Sequence, residues 1–208
     1  MILGFAHLAI NVSSIEDSEL EWRKTVGYSR IAFFRHVPNH KSKSRFLNLY
    51  NPYHDLMLLS GPGLCPMELT YHGDVHINNT QISWGLKSIF ITVPNPGPFL
   101  RILIEGLGFR HIENNTLILP GLLGWSCTIT IDTGERNPTM LDSSGPTCLA
   151  FYSNHIEEDS LLLQELGSTE KTEIFDLTLG ERIMTVIILR TPGGPLLELI
   201  SPRRRNVS

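Results

Sequence analysis

Short apolar runs alternate with amphipathic stretches along this chain, and the alternation occurs three times. Each repeat opens with a glycine that leads into an apolar run, a pattern typical of a largely buried strand. An amphipathic stretch follows and ends at a second glycine, which is a common signal just past the last turn of a helix. The opening glycines are Gly4, Gly85 and Gly145, and the closing ones, at nearly equal distances, are Gly27, Gly108 and Gly167.

Further apolar runs follow each closing glycine, so the repeated unit is predicted to be strand, helix, strand, strand, strand. Helices separated by several strands favour an α+β fold over a doubly wound parallel sheet. The predicted βαβββ modules span 1–60, 85–142 and 146–202, with a linker or excursion at 61–84 and a basic tail at 203–208. The second and third modules follow each other directly, so they are expected to pair into one domain, 85–202.

The composition of the chain argues against nucleic-acid and membrane partners. The chain has 208 residues, is 41% hydrophobic and carries a formal net charge of −4, so it can bury a core and has no electrostatic drive toward nucleic acid. The basic run 203–205 is interpreted as a solvated tail. No apolar window reaches the ~18 residues of a membrane span, and three scattered cysteines fit a reducing compartment. We therefore expect a cytoplasmic protein without nucleic-acid or membrane partners.

Two segments give the sequence a resemblance to a known superfamily. They are AHLAINV at 6–12, at the start of the first module, and TPGGPLLELISP at 191–202, at the end of the third. Both resemble strands of the vicinal oxygen chelate superfamily, which includes glyoxalase I, methylmalonyl-CoA epimerase and extradiol dioxygenases. The LGF at 107–109 is similar to a helix end found in ring-cleaving dioxygenases. The resemblance implies modules paired into cupped mixed sheets that hold a small ligand.

The resemblance also implies where metal ligands would lie, namely on the first and last strands of paired modules. The first-strand positions fall on His7, Ser88 and Cys148, and the last-strand position of the third module falls on Glu198. The same count in the first module falls on Leu58, which cannot bind a metal. Glu68 lies in a similar apolar context but comes later in the chain than this count requires.

Each candidate residue has a plain structural alternative. His7 is either a metal ligand or a satisfied core histidine. Cys148 could bind a soft metal as a thiolate or be a small buried apolar residue. Glu198 lies in an apolar strand, where a bare carboxylate is costly, so it is expected to be a ligand, a general base or half of an ion pair.

Further residues are candidates for catalysis or for the ligand pocket. His54 with Asp55 could relay protons or lie in a turn, so His54 joins Glu198 as a catalytic candidate. Ser88 and Trp125 are candidates for the pocket wall, with Trp125 equally able to pack in the core. The spacing of His72 and His76 suits a helix face, but the glycine between them makes chance the favoured interpretation.

Two functions from different classes follow. The first is a protein that binds a small oxygenated or aromatic metabolite in its cup, with a degenerate metal site. The alternative is a metal-dependent lyase, isomerase or dioxygenase of the glyoxalase or ring-cleaving type. One divalent metal (Fe, Mn, Zn or Ni) or none is expected. A homodimer through the first module is also predicted, because three modules leave one unpaired and this arrangement would place two copies of His7 in one cup.

Overall fold

The computed structural model describes residues 1–73, 82–85, 88–120, 126–135 and 138–203. These residues form an α+β fold, as predicted. The strands are β1 (Ile2–Asn11), β2 (Ser29–Pro38), β3 (Tyr53–Ser60), β4 (Met67–Tyr71), β5 (Ile82–Trp84), β6 (Ser88–Val93), β7 (Arg110–Glu113), β8 (Thr116–Leu119), β9 (Cys127–Thr133), β10 (Gly145–Ser153), β11 (Glu170–Lys171), β12 (Phe175–Leu179), β13 (Arg182–Arg190) and β14 (Leu196–Arg203). The α-helices are α1 (Ile15–Thr25), α2 (Pro96–Arg101) and α3 (Ile156–Glu165), with a 3₁₀ helix at Lys41–Phe46 and a π-helical turn at Ile102–Gly106.

The predicted helix ends are confirmed at the closing glycines. Gly27, Gly108 and Gly167 have φ angles of 88°, 81° and 120°, in the left-handed region that favours glycine. At its other end, α1 is capped by Ser14, whose Oγ accepts a hydrogen bond from the Asp17 backbone N–H at 3.3 Å. The repeat of strand, helix and further strands was therefore visible in the sequence.

The first and third modules, and not the second and third, join into one sheet. Its strand order is β11-β13-β14-β10-β1-β4-β3-β2, with β12 beside β13. At its centre β1 and β10 pair antiparallel, with β4 parallel to β1 and β14 parallel to β10. The predicted pairing within 85–202 is therefore wrong. The first and third modules pair although they are distant in sequence, because the edges of β1 and β10 form backbone hydrogen bonds with each other.

The second module forms a separate five-stranded sheet in the order β5-β6-β9-β8-β7. Its β5 pairs antiparallel with β6, the first strand of the module, along one edge. The predicted linker 61–84 therefore contributes two strands, β4 to the large sheet and β5 to the small one. The apolar face of the small sheet joins the outer face of the large sheet and the helices in one buried core.

The two faces of the large sheet carry different residues. Along β1, Leu8 and Ile10 belong to the outer core, whereas Ala6 and Ala9 belong to two smaller inner clusters. Strand β4 shows the same alternation, since Met67 and Leu69 join the outer core on either side of Glu68. Residues on the inner face therefore line the concave side of the sheet, which we call the cup.

The structure removes the argument on which the predicted homodimer was based. The homodimer itself stays a prediction. That prediction assumed an unpaired first module, and β1 of that module pairs with β10 of the same chain. In the described part of the chain, no helix is both long and apolar enough to cross a membrane.

Candidate functional site

His7 lies in the cup between two carboxylates. Its side chain is nearly buried, and its Nε2 atom is 3.6 Å from Oε2 of Glu68 and 3.6 Å from Oε2 of Glu198. Both distances are too long for a hydrogen bond, so the buried Nε2 atom has no hydrogen-bond partner. The site therefore contains an unpaired imidazole nitrogen flanked by two carboxylate oxygens.

Strand register explains why these three side chains meet. Ala150 of β10 is paired with His7 on one side and with Glu198 of β14 on the other. In the adjacent row, Ala9 is paired with Glu68. The two alanines between the larger side chains leave room for the imidazole and the carboxylates to approach one another above the sheet.

Electrostatics couples the three groups. Burial by itself lowers the pKa of His7, but the charges of Glu68 and Glu198 outweigh it, so the pKa of His7 is raised. Burial raises the pKa of Glu68, and the charge of Glu198 raises it further, against the opposing effects of His7 and Lys43. In the absence of another cation, the cluster therefore tends to hold a proton.

Two of these three residues were predicted from the sequence as site residues, and the third was not. His7 and Glu198 were candidates, whereas the count from Gly27 selected Leu58 in place of Glu68. The structure puts Glu68 on β4, beside β1, so it holds the last-strand position of the first module. The 3₁₀ helix at Lys41–Phe46 lies between β2 and β3 and moves this strand later in the sequence.

Cys148 also lies in this part of the cup, but its chemistry differs from the thiolate interpretation. It pairs with Ala9 across the β1–β10 junction and is almost fully buried. Burial raises the pKa of its thiol well above the ordinary value, and the charges of Glu198 and Glu68 raise it further. Without a metal, Cys148 is therefore a small, protonated, buried side chain beside the site, and its role as a metal ligand stays a prediction.

Lys43 is a buried charged residue that was not among the candidates predicted from the sequence. The 3₁₀ helix carries it into the interior, where only 5% of its surface is exposed. Its Nζ atom lies 3.5 Å from Oδ1 of Asn39 and 5.3 Å from the ring centre of Phe175. Burial lowers the pKa of Lys43, and the charges of Glu198 and Glu68 oppose this change. The sequence indicates this residue only indirectly, through the extra segment between β2 and β3 that places Glu68 later in the chain than the repeat count requires.

The ring of His54 stacks on the ring of His72. The two rings are 4.8 Å apart and nearly parallel, and each buried Nδ1 atom lacks a hydrogen-bond partner. Burial and the charge of Lys43 lower the pKa of both imidazoles, to about 3 for His72. The Asp55 carboxylate instead accepts a hydrogen bond from the backbone N–H of His36. His54 and Asp55 both lie in β3, so they do not form the alternative turn; the ring of His54 belongs to a stacked histidine pair, and its catalytic role stays a prediction.

Ser88, a predicted pocket residue, does not lie in the cup. Ser88 is in β6 of the small sheet, apart from the cup, so the predicted grouping of Ser88 with Cys148 and Glu198 is not formed. Trp125 and His76 lie outside the described residues.

A cavity of about 220 Å³ opens beside His7. Leu58, Tyr152 and Ile31 are among the residues that line it. Its volume corresponds to about seven water molecules at ~30 Å³ each, which suits a small metabolite. A larger groove of about 840 Å³ runs past the 3₁₀ helix, but neither His7 nor the two glutamates line it. We therefore assign the smaller cavity to the site, because His7 lines it, although Glu68 and Glu198 are not among its lining residues.

The donor set fits a divalent transition metal in kind, but its spacing is slightly too wide. One imidazole and two carboxylates suit Mn²⁺, Fe²⁺, Zn²⁺ or Ni²⁺. Ligand atoms about 2.1 Å from a metal lie about 3.0–3.4 Å from one another, close to the 3.6 Å measured here. Among the described residues, no group of three or more His, Cys, Asp or Glu side chains is already arranged to hold a metal. Binding would therefore require His7, Glu68 and Glu198 to move closer together.

Comparisons with known proteins gave similar solved structures only. No family model matches the chain, and no curated protein matches it. A provisionally named dioxygenase from Bacillus subtilis subsp. subtilis str. 168 is 13% identical with a TM-score of 0.44, covering 98% of this chain and 64% of that one. Methylmalonyl-CoA epimerase from Mycobacterium tuberculosis is 12% identical with a TM-score of 0.48, covering 98% and 91%. Glyoxalase I from Zea mays is 14% identical with a TM-score of 0.40, covering 95% and 67%.

These structures carry names of the superfamily that the sequence resembles. The chain spans slightly less than two thirds of the length of the dioxygenase that it matches. At these identities the chemistry of the site is taken from the residues of this chain.

Proposed function

We propose that this chain binds a small oxygenated molecule in the cup, through a divalent metal held by His7, Glu68 and Glu198. The observation that carries the proposal is the buried, unpaired Nε2 atom of His7, which lies 3.6 Å from a carboxylate oxygen on each side. A buried ring nitrogen without a partner is costly, and a bound cation would remove that cost. When bound, such a metal polarises the oxygen atoms of its ligand as a Lewis acid.

The protein's own residues have three roles in this proposal. His7 would supply the neutral imidazole, and the two glutamates would neutralise the charge of the metal. The cavity beside His7, walled by Leu58 and Tyr152, would receive the ligand and limit its size. Because the first and third modules each contribute a glutamate, the site exists only when both halves of the large sheet are in place.

Metal titration tests the proposal. Chelator-treated protein is titrated calorimetrically with Mn²⁺ and with Zn²⁺, and about one equivalent of at least one metal is expected to bind. Glu68→Gln and Glu198→Gln should each weaken binding at least tenfold, because each nearly isosteric change removes a carboxylate ligand. Glu165→Gln is the matched control, since Glu165 is exposed on α3. Absence of binding, or equal binding by all three variants, would contradict the proposal.

A metal-free binding protein is the second candidate, and Lys43 favours it. A buried ammonium near two glutamates already supplies a positive charge to the cup. If this function is the right one, the unmodified protein should bind neither metal, while Lys43→Met should lower the melting temperature, because it leaves His7 as the cation nearest to two buried carboxylates.

A further inference from the structure

A β-bulge in the first strand shapes the cavity beside His7. In the pairing of β1 with β10, Ala6 is an extra residue, because Phe5 and His7 on either side of it face consecutive residues of β10. A bulge bends its strand and re-aims the side chains next to it, and bulges are over-represented beside functional sites. Here the bend places Ala6 and both of its neighbours in the wall of the cavity.

A second bulge lies across the cavity, in β2. Ile31 is the extra residue there, because Arg30 and Ala32 face consecutive residues of β3. Ile31 also lines the cavity, and 63% of its surface is exposed. An apolar molecule bound against Ile31 would remove part of this apolar surface from water, which favours binding.

The wall of the cavity is apolar apart from three side chains. Of the ten described residues that line it, only His7, Ser60 and Tyr152 are polar, and none is a lysine, an arginine or a carboxylate. The cavity volume is about 220 Å³, and an apolar cavity of roughly 150 Å³ is already large enough for benzene. The cavity therefore suits a molecule of about the size of one substituted ring.

The Tyr152 hydroxyl is the polar group best placed to meet such a molecule. In the described part of the chain this hydroxyl forms no hydrogen bond, although a tyrosine hydroxyl that is partly buried usually has a partner. Tyr152 faces Gly4 across the β1–β10 pairing, where no side chain competes for space. The Nε2 atom of His7, by contrast, lies between two carboxylates, and the Oγ atom of Ser60 stays close to its own backbone.

We infer that this cavity binds a small, uncharged, mainly apolar molecule with one oxygen group, and that the Tyr152 hydroxyl forms a hydrogen bond with that oxygen. A cyclic alcohol, a phenol or a cyclic ketone fits this description. An anion does not, because two carboxylates flank His7, and a single proton shared by these three groups leaves them negatively charged. The inference takes its cavity from the proposed function but does not need the metal.

Three fluorinated probes of similar size test the inference, in buffer with a chelator so that no metal is bound. 4-Fluorophenol has the oxygen, fluorobenzene lacks it, and 4-fluorobenzoate is an anion; ¹⁹F NMR titration gives each dissociation constant. The wild type should bind 4-fluorophenol with a dissociation constant of about 1 mM or lower, within the range for a ligand of about eight heavy atoms. Fluorobenzene should bind about three- to tenfold more weakly, as expected for one lost hydrogen bond. 4-Fluorobenzoate should bind at least about tenfold more weakly than 4-fluorophenol.

Substitutions in the wall assign the preference to one hydroxyl. Tyr152→Phe should bring the dissociation constants of the two neutral probes to within about twofold of each other. Ser60→Ala is the matched control, because it removes the other hydroxyl of the wall and should keep the wild-type preference. Ile31→Ser, at an exposed position, should weaken both neutral probes by about threefold or more, because it removes apolar surface from the wall.

The outcomes separate this inference from the proposed function. The inference is wrong if no probe binds the metal-free wild type, if Tyr152→Phe keeps the preference for 4-fluorophenol, or if Ser60→Ala abolishes it. If 4-fluorophenol binds as expected but neither Mn²⁺ nor Zn²⁺ does, the inference stands and the metal site is wrong. Should Tyr152→Phe fold poorly, a nuclear Overhauser effect between 4-fluorophenol and the Tyr152 ring in the wild type is expected, and its absence would contradict the inference.

Discussion

The Asp142 carboxylate clamps the segment after the 3₁₀ helix to the connection that leads into β10. Asp142 is fully buried and accepts three hydrogen bonds at 2.9 Å, from the backbone N–H groups of Asn48 and Leu49 and from the Asn48 side-chain amide. Its own carbonyl accepts another hydrogen bond from the Asn11 side chain. Replacing Asp142 by alanine should therefore destabilise the protein and loosen the segment beside Lys43.

The loss of stability expected for Asp142→Ala can be estimated from these three hydrogen bonds. Each hydrogen bond to a charged group contributes about 1.5–3 kcal/mol when its donor is fully buried. Asn48 and Leu49 are exposed residues, so water can replace part of each lost bond. At about 1 kcal/mol per bond, Asp142→Ala should lower the free energy of unfolding by about 3 kcal/mol. That is a large fraction of the ~5–15 kcal/mol typical of a folded protein.

Urea unfolding, followed by circular dichroism, measures this change. Asn48→Ala is the graded control, because it removes only the side-chain bond and should cost about 1 kcal/mol. Hydrogen exchange at the Leu49 amide should accelerate in Asp142→Ala and stay slow in Asn48→Ala. A cost below about 1 kcal/mol for Asp142→Ala, or one no larger than that of Asn48→Ala, would show that these hydrogen bonds contribute little to stability.

Two further predictions concern acid stability and helix packing. The pKa of His72 is about 3 in the folded protein against an ordinary 6.5, so the unfolded chain binds more protons between these values, and stability should fall by up to about 1.4 kcal/mol per unit as pH drops below 6.5. In urea titrations from pH 7.5 to 5, His72→Gln should flatten this decline and exposed His111→Gln should not; an unchanged slope in His72→Gln would contradict the assignment. A Cβ atom at Gly106 would lie 2.5 Å from the Leu163 side chain of α3, so Gly106→Ala should cost about 1–3 kcal/mol in the same assay. The exposed Gly97, which has room for a Cβ atom, is the control, and an equal loss in Gly97→Ala would refute the close-packing argument.

The sequence predicted the modules better than it predicted their arrangement. Strand and helix signals are local, so the glycines that open and close each repeat located the modules along the chain. Pairing of β1 with β10 depends on which strand edges remain free after folding. β5 pairs along β6, and neither strand signals this choice by its own pattern.

The candidate site could be predicted only in part, for a related reason. His7 and Glu198 lie on first and last strands, where a repeat count applies directly. Glu68 lies beyond the 3₁₀ helix, so a count that assumed equal module lengths selected Leu58. Lys43 offers no periodic signal, because its burial depends on distant contacts to the 3₁₀ helix from Leu141 and Arg190.

The β1–β10 junction should make the cup a late product of folding. Most of the chain lies between these two strands, so their pairing must close a very long loop before it gains any hydrogen bonds. The second module, by contrast, contains mostly short-range strand pairings and can form without that closure. His7 and Glu198 come from opposite sides of the junction. A refolding experiment should therefore recover secondary structure before it recovers the ability to bind a ligand.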